Sequence, residues 1–199
     1  SEVRAAGDRR ELRDLIDLVA GTLAAILLAI TAIGVLAAPL VLAIFAPGWL
    51  IDGRPEFWLS TDMLRITFPY ILLISLTALA GGILNTFDRF LVPALTPVLL
   101  NLSLIAAAVL LSAHLAVPVK ALAWGVLIAG IAQLAIQVPA LMRLGVMPRP
   151  KWGWRHSGVR KILRLMIPTL IGSSVAQINL LLDIVIATFL VSGSVSWLY

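Results

Sequence analysis

The sequence contains no cysteine. Disulfides, thiolate nucleophiles and thiolate-bound metals are thereby excluded, while the compartment is left open. Histidine is nearly as scarce: His114 lies beside a short loop and His156 in a basic stretch. Neither has a second ligand at metal spacing, so both read as solvated or interfacial side chains. Charge is in short supply too, at 13% of residues against about 25% in an average soluble domain. The strict alternation of apolar and polar residues that an outer-membrane barrel requires is missing. The densely charged start, Ser1 to Asp14, excludes a signal peptide.

What is there is hydrophobic residue in long blocks: 61% of the 199 residues, with a mean hydropathy of +1.05. Short connectors carrying charge or proline separate the blocks. The fold class this predicts is all-α, a polytopic helical membrane bundle, because only helices or closed barrels satisfy their backbone in lipid. Ser1 is not an initiator methionine, and Ser194 to Tyr199 ends without a stop signal. The chain therefore reads as an internal piece of a longer protein.

The apolar blocks predict spans at about 15–46, 64–84, 94–113 and 121–141, and a fifth from about Ile162 to Leu190. In the first, Gly21, Ala25 and Ala29 form a small-residue stripe suited to helix packing, and Pro39 predicts a kink. Pro47 to Asp62 reads as a connector whose Trp49, Phe57 and Trp58 make an interfacial belt. Arg65 is placed to snorkel toward the interface. In the third span Pro97 and Asn101 interrupt the first half; Asn101 suits either an interhelical hydrogen bond or a cavity wall. Gln133 and Gln137, one turn apart in the fourth, read as helix-to-helix glue.

Arg143 to Arg164 is the most basic stretch and interleaves Trp152 and Trp154. In a soluble protein that mixture would point to nucleic acid; between membrane spans it points to an anionic leaflet instead. Of the fifteen Lys and Arg, twelve fall on one side when loops are taken alternately, leaving Arg54, Arg65 and Lys120 on the other. This bias predicts a cytoplasmic Ser1 and basic connector, with Gly53 and Pro118 facing outward.

The fifth span is the one most marked by polar residues: Ser173, Ser174, Gln177, Asn179 and Asp183. A carboxylate in hydrocarbon costs on the order of a few kcal/mol, so it is expected to face a bundle interior or aqueous cavity. Gly172, Ala176, Asn179 and Asp183 share a helical face. Asn179 and Asp183 would offer oxygen ligands one turn apart, making them candidates for cation binding. The alternative is a polar packing contact with Asp183 protonated.

The run ITFPYILLISLTALAGGILNTFDRFLVPALTPVLLNLSLI, residues 66–105, and the segment from Gln177 to Tyr199 ending SGSVSWLY resemble the MviN/MurJ-type lipid II flippases of bacterial inner membranes. The resemblance extends over essentially all of the chain. It implies a place in a two-lobed, MOP-type transporter. Residues 1–145 would form helices three to six of the N-terminal lobe, 146–161 the basic cytoplasmic connector, and 162–199 the seventh helix and start of the eighth. It further implies export of the undecaprenyl-linked peptidoglycan precursor to the outer leaflet by alternating access. Asp183 matches a seventh-helix position where some members place a sodium-ligating aspartate, and Asn101 matches an asparagine near the central cavity. Ser196 is a further candidate for the cavity wall. The substrate-binding arginines of the family lie mainly on regions outside these residues. The implied partners are lipid II, membrane lipids and the missing helices of the same chain. No cofactor is implied, with sodium as the coupling ion that the resemblance allows.

Two other function classes are weighed against the flippase. A multidrug or oligosaccharide-lipid exporter of the same superfamily would share the helix pattern. A membrane enzyme acting on lipid carriers would need an acid, histidine or metal constellation at one interface; the sequence offers none, so no catalytic residue is expected.

Overall fold

The computed structural model describes residues 2–187 and 189. Among these, α1 (Glu2–Leu36) is followed by α2 (Ala38–Phe45), α3 (Pro47–Ile51), α4 (Pro55–Thr67) and α5 (Tyr70–Thr86). Then come α6 (Leu91–Ala94), α7 (Thr96–Ala106), α8 (Lys120–Leu144) and α9 (Ser157–Ala187). Four helical stretches are long and apolar enough to cross a membrane: Arg10–Leu36, Pro55–Thr86, Leu91–His114 and Lys120–Leu144. Large apolar side chains such as Leu36, Leu40, Val109 and Leu110 point outward, as they do where lipid or further helices take the place of water.

Prolines set the breaks. Before Pro39 the helix is interrupted at Ala37, and α2 starts at Ala38 with the proline in its first turn. Pro69 separates α4 from α5, and the Phe68 ring at that break lies directly over Gly34 of α1. Pro97 cannot donate to the carbonyl of Pro93; the Thr96 hydroxyl donates to it instead, at 2.8 Å. Farther along the same span Ala107–Leu111 forms a π turn.

Two expectations are corrected here. The segment 47–62, read as a connector, is largely helical: Pro47 and Pro55 each stand in the first turn of a helix, and the helical stretch of membrane-crossing length that holds residues 64–84 starts at Pro55. Proline at a helix start forgoes an N–H that would be unpaired anyway. Among the described residues the stripe at Gly21, Ala25 and Ala29 is met by an extended segment and not by a helix. Gly21 is covered by the backbone of Lys151, whereas Ala25 and Ala29 are exposed.

The helix α8 is central, packing on α4, α5 and α7. Close approach is made at Gly125, where an added Cβ would stand 2.8 Å from the Ala107 Cβ, and at Gly130, 2.8 Å from the Tyr70 ring. A compact apolar cluster of Ala80, Ile83, Leu84, Leu141 and Val146 closes one end of the bundle. At that end α8 stops in a Schellman turn: Gly145, at φ +66°, donates to Met142 O at 3.0 Å and Val146 to Leu141 O at 3.1 Å.

Candidate functional site

Three groups of polar residues are built on this frame. The first is a seam between α5, α7 and α8. Gln133 and Gln137 are both buried, and Gln133 bridges helices as its position predicts. Its Nε2 donates to Thr96 O at 2.7 Å and its Oε1 accepts from the Tyr70 hydroxyl at 3.4 Å. Gln137 lies one turn on, beside a cavity of about 320 Å³ that Thr77, Gly81, Asn85 and Thr96 also line. The Oε1 of Gln137 and the Oγ1 of Thr77 are buried without a hydrogen-bond partner.

The second group joins α1 to the connector that follows α8. Asp17 is buried, although the sequence marks it only as the acid at the edge of an apolar run. Its Oδ1 accepts the Arg149 N–H at 2.8 Å, its Oδ2 meets Lys151 Nζ at 3.1 Å, and its backbone carbonyl accepts the Lys151 N–H at 3.0 Å. Farther along, Gly153 N–H donates to Thr22 Oγ1 at 3.2 Å. Gly21 makes the approach possible, since a side chain there would collide with the Lys151 backbone. Lys151 also reaches Asp14 at 2.9 Å. The hydrogen bonds that the ammonium donates to Asp14 and then to Asp17 hold the lysine pKa above its usual 10.5. Sequence reading missed Asp17 because its partners lie far away in the chain.

At the opposite end of the bundle Lys120, at the start of α8, meets Asp62 of α4 at 2.8 Å, and Arg65 stands 3.8 Å from the same carboxylate. The ends therefore sort by loop. The turn at Asp88 and Arg89 lies beside Arg143, and α1 beside the connector, while residues 62 and 120 meet at the other end.

The third group is on α9, which packs on α1 and α2. Asp183 is exposed, and an added Cβ at Gly172 would meet nothing within 4 Å, so at these two positions the face is open in this chain. The side chain of Asn179 and all of Ser196 lie outside the described residues. No group of three acidic or histidine side chains able to hold a metal ion forms among the described residues. Asn101 of α7 is exposed and makes no interhelical hydrogen bond among the described residues.

Apolar helices of membrane-crossing length, joined by a buried amide seam and closed by charged ends, define a multi-pass helical membrane protein. Comparison with known proteins narrows this further. The chain belongs to the lipid II flippase MurJ family, whose pattern matches residues 2–199. It is 47% identical over 205 aligned residues to a Vibrio cholerae protein named "Probable lipid II flippase MurJ", covering 100% of this chain and 39% of that protein. To the "Lipid II flippase MurJ" of Burkholderia cenocepacia it is 43% identical, covering 92% of this chain and 36% of the relative. A Haemophilus influenzae relative is 42% identical over 100% of this chain and 40% of its own length. The chain thus spans about two fifths of the curated relatives it matches. All three carry the flippase name, which leaves the multidrug or oligosaccharide exporter without support.

Proposed function

We propose that the full-length protein moves lipid II from the cytoplasmic to the outer leaflet of the bacterial inner membrane by alternating access. On this reading residues 1–145 supply helices three to six of one lobe, and α9 is the seventh helix, at the start of the next. The observation that carries the proposal is the family match along residues 2–199, on a chain whose described part holds four apolar spans. The work is movement of a substrate between leaflets, with no chemical step, and the substrate is the undecaprenyl-linked precursor.

The exposed Asn101 and the open face of α9 around Asp183 support a role for both in lining the pathway once the remaining helices are in place. Sodium coupling through Asp183 needs further oxygen ligands from the part of the relatives' length that this chain does not span. The orientation proposed puts the end bearing Asp17, Arg89 and Lys151 in the cytoplasm, since it holds twelve of the fifteen basic residues.

Depletion of the full-length protein in its own bacterium tests the activity. Lipid II should accumulate in the inner leaflet and cells should lyse or lose shape. Unchanged exposure of lipid II at the outer surface, with no second flippase present, would refute the proposal.

A further inference from the structure

Where α1 meets the connector, the structure holds a cavity of about 880 Å³. Arg10 and Arg13 line it from α1, Arg149 and Lys151 from the connector, and Asp14 and Asp17 are its acids. Those acids are already engaged. Lys151 lies 2.9 Å from one and 3.1 Å from the other, and Arg149 reaches Asp17 only through its backbone N–H. The guanidinium groups of Arg10, Arg13 and Arg149 have no carboxylate partner among the described residues. Three such groups around one cavity repel one another until an anion is shared between them, and the planar guanidinium fork matches phosphate oxygens best.

The glycine at the end of α8 adds an independent observation. Gly145 has φ +66°, and an added Cβ would stand 3.0 Å from the Arg13 guanidinium. The turn therefore leaves room for Arg13 to lie across it, where any side chain would push the arginine aside. The rest of the wall is apolar, with Ile16, Met142 and Met147, at the level where α1 and α8 enter their membrane-crossing stretches.

The geometry points to a binding site for a phosphate group, offered by the headgroup of an anionic phospholipid. A headgroup sits at the boundary between charge and hydrocarbon and would use both halves of the wall, whereas a soluble phosphate would use only the arginines. The site is argued from the cavity and its arginines alone. It does not rest on the flippase reading, and its failure would leave that reading untouched.

The test uses the full-length protein in detergent, with bound lipid counted by native mass spectrometry. The probes are phosphatidylglycerol, phosphatidylethanolamine and inorganic phosphate. Phosphatidylglycerol should bind more tightly than phosphatidylethanolamine. The combined Arg10→Gln, Arg13→Gln and Arg149→Gln variant should weaken phosphatidylglycerol by about tenfold or more, as expected from losing three interfacial cations partly screened by salt. These residues are exposed, and the Asp17 contacts with the Arg149 backbone and Lys151 survive the change. Removing the same charge at Arg155, Arg160 and Arg164, outside the cavity, should cost about twofold or less. Equal losses in both variants would mean diffuse attraction and overturn the site, as would no preference for the anionic lipid. Displacement of phosphatidylglycerol by inorganic phosphate would keep the phosphate site and assign it to a soluble ion; resistance to displacement assigns it to the lipid.

Discussion

Asp17 and Lys151 meet at 3.1 Å, and the second oxygen of the same carboxylate takes the Arg149 N–H at 2.8 Å. One buried acid thus holds the connector by charge and by backbone at once. Replacing Asp17 by Ala would leave that N–H and the ammonium unmatched, at a cost of about 1.5–3 kcal/mol for a hydrogen bond to a charged group. Asp17→Asn keeps the shape and should cost less. Amide exchange at Arg149 and Lys151 in the full-length protein checks this, and unchanged exchange in Asp17→Ala would refute the pin.

The same contact gives a pH dependence. The pKa of Lys151 is raised above 10.5 by its hydrogen bonds to Asp14 and Asp17. A group whose folded pKa is raised contributes stability that is complete below its unfolded value and lost as pH rises through the folded one. Fluorescence of the neighbouring Trp152 should stay flat from neutrality to about pH 10 and change only above that. Lys151→Met should remove the transition. A Lys151-dependent change centred well below pH 10 would contradict the assignment.

The two buried glutamines should respond oppositely to the same substitution. Gln133 makes hydrogen bonds to Thr96 and Tyr70, so Gln133→Leu strips two partners and should destabilise by about 1–3 kcal/mol. The Oε1 of Gln137 is buried without a partner, so Gln137→Leu should be neutral or mildly stabilising by thermal unfolding. A larger loss at Gln137 than at Gln133 would reverse the reading of the seam.

Orientation can be checked by single-cysteine labelling, to which these 199 residues contribute no background. In the full-length protein a cysteine at Ser157 should be shielded from an impermeant external reagent, and one at Gly53 should react. The reverse pattern would overturn the proposed topology.

Asp183→Asn in the full-length protein tests the cation proposal. The substitution keeps the shape and removes the charge, so sodium-dependent stabilisation or transport should be lost while folding persists. If both the sodium response and complementation of a depleted strain survive, Asp183 is a packing group.

Much of this fold is legible along the chain, because membrane spans depend on local apolar length. The break before Pro39 and the bridging by Gln133 follow from residue type and spacing. The helices over 47–51 and 55–67 were obscured by Gly48, Gly53 and the aromatic belt. Their signal was present all the same, in prolines placed where helices begin and in Glu56 in a first turn. Asp17 was not legible, since nothing near it distinguishes a solvated acid from one whose partners arrive after α8. Gly21 shows the same limit: small size announces a close neighbour without saying whether that neighbour is a helix or an extended chain. The face around Asp183 is open at the two positions described, Gly172 and Asp183.

The stitching of residues 149–153 onto α1 shortens the leash on α9. By sequence, everything between Gly145 and His156 looks free to swing. With Gly153 tied to Thr22, only residues 154–156 separate a fixed point from the start of α9 at Ser157. The four Cα steps from Gly153 to Ser157 reach at most about 14 Å when fully stretched, and here they are folded into a turn closed by the His156 N–H on Gly153 O at 2.9 Å. Any rotation of α9 against the other helices must therefore pivot within that radius, or first break the clasp at Asp17 and Thr22.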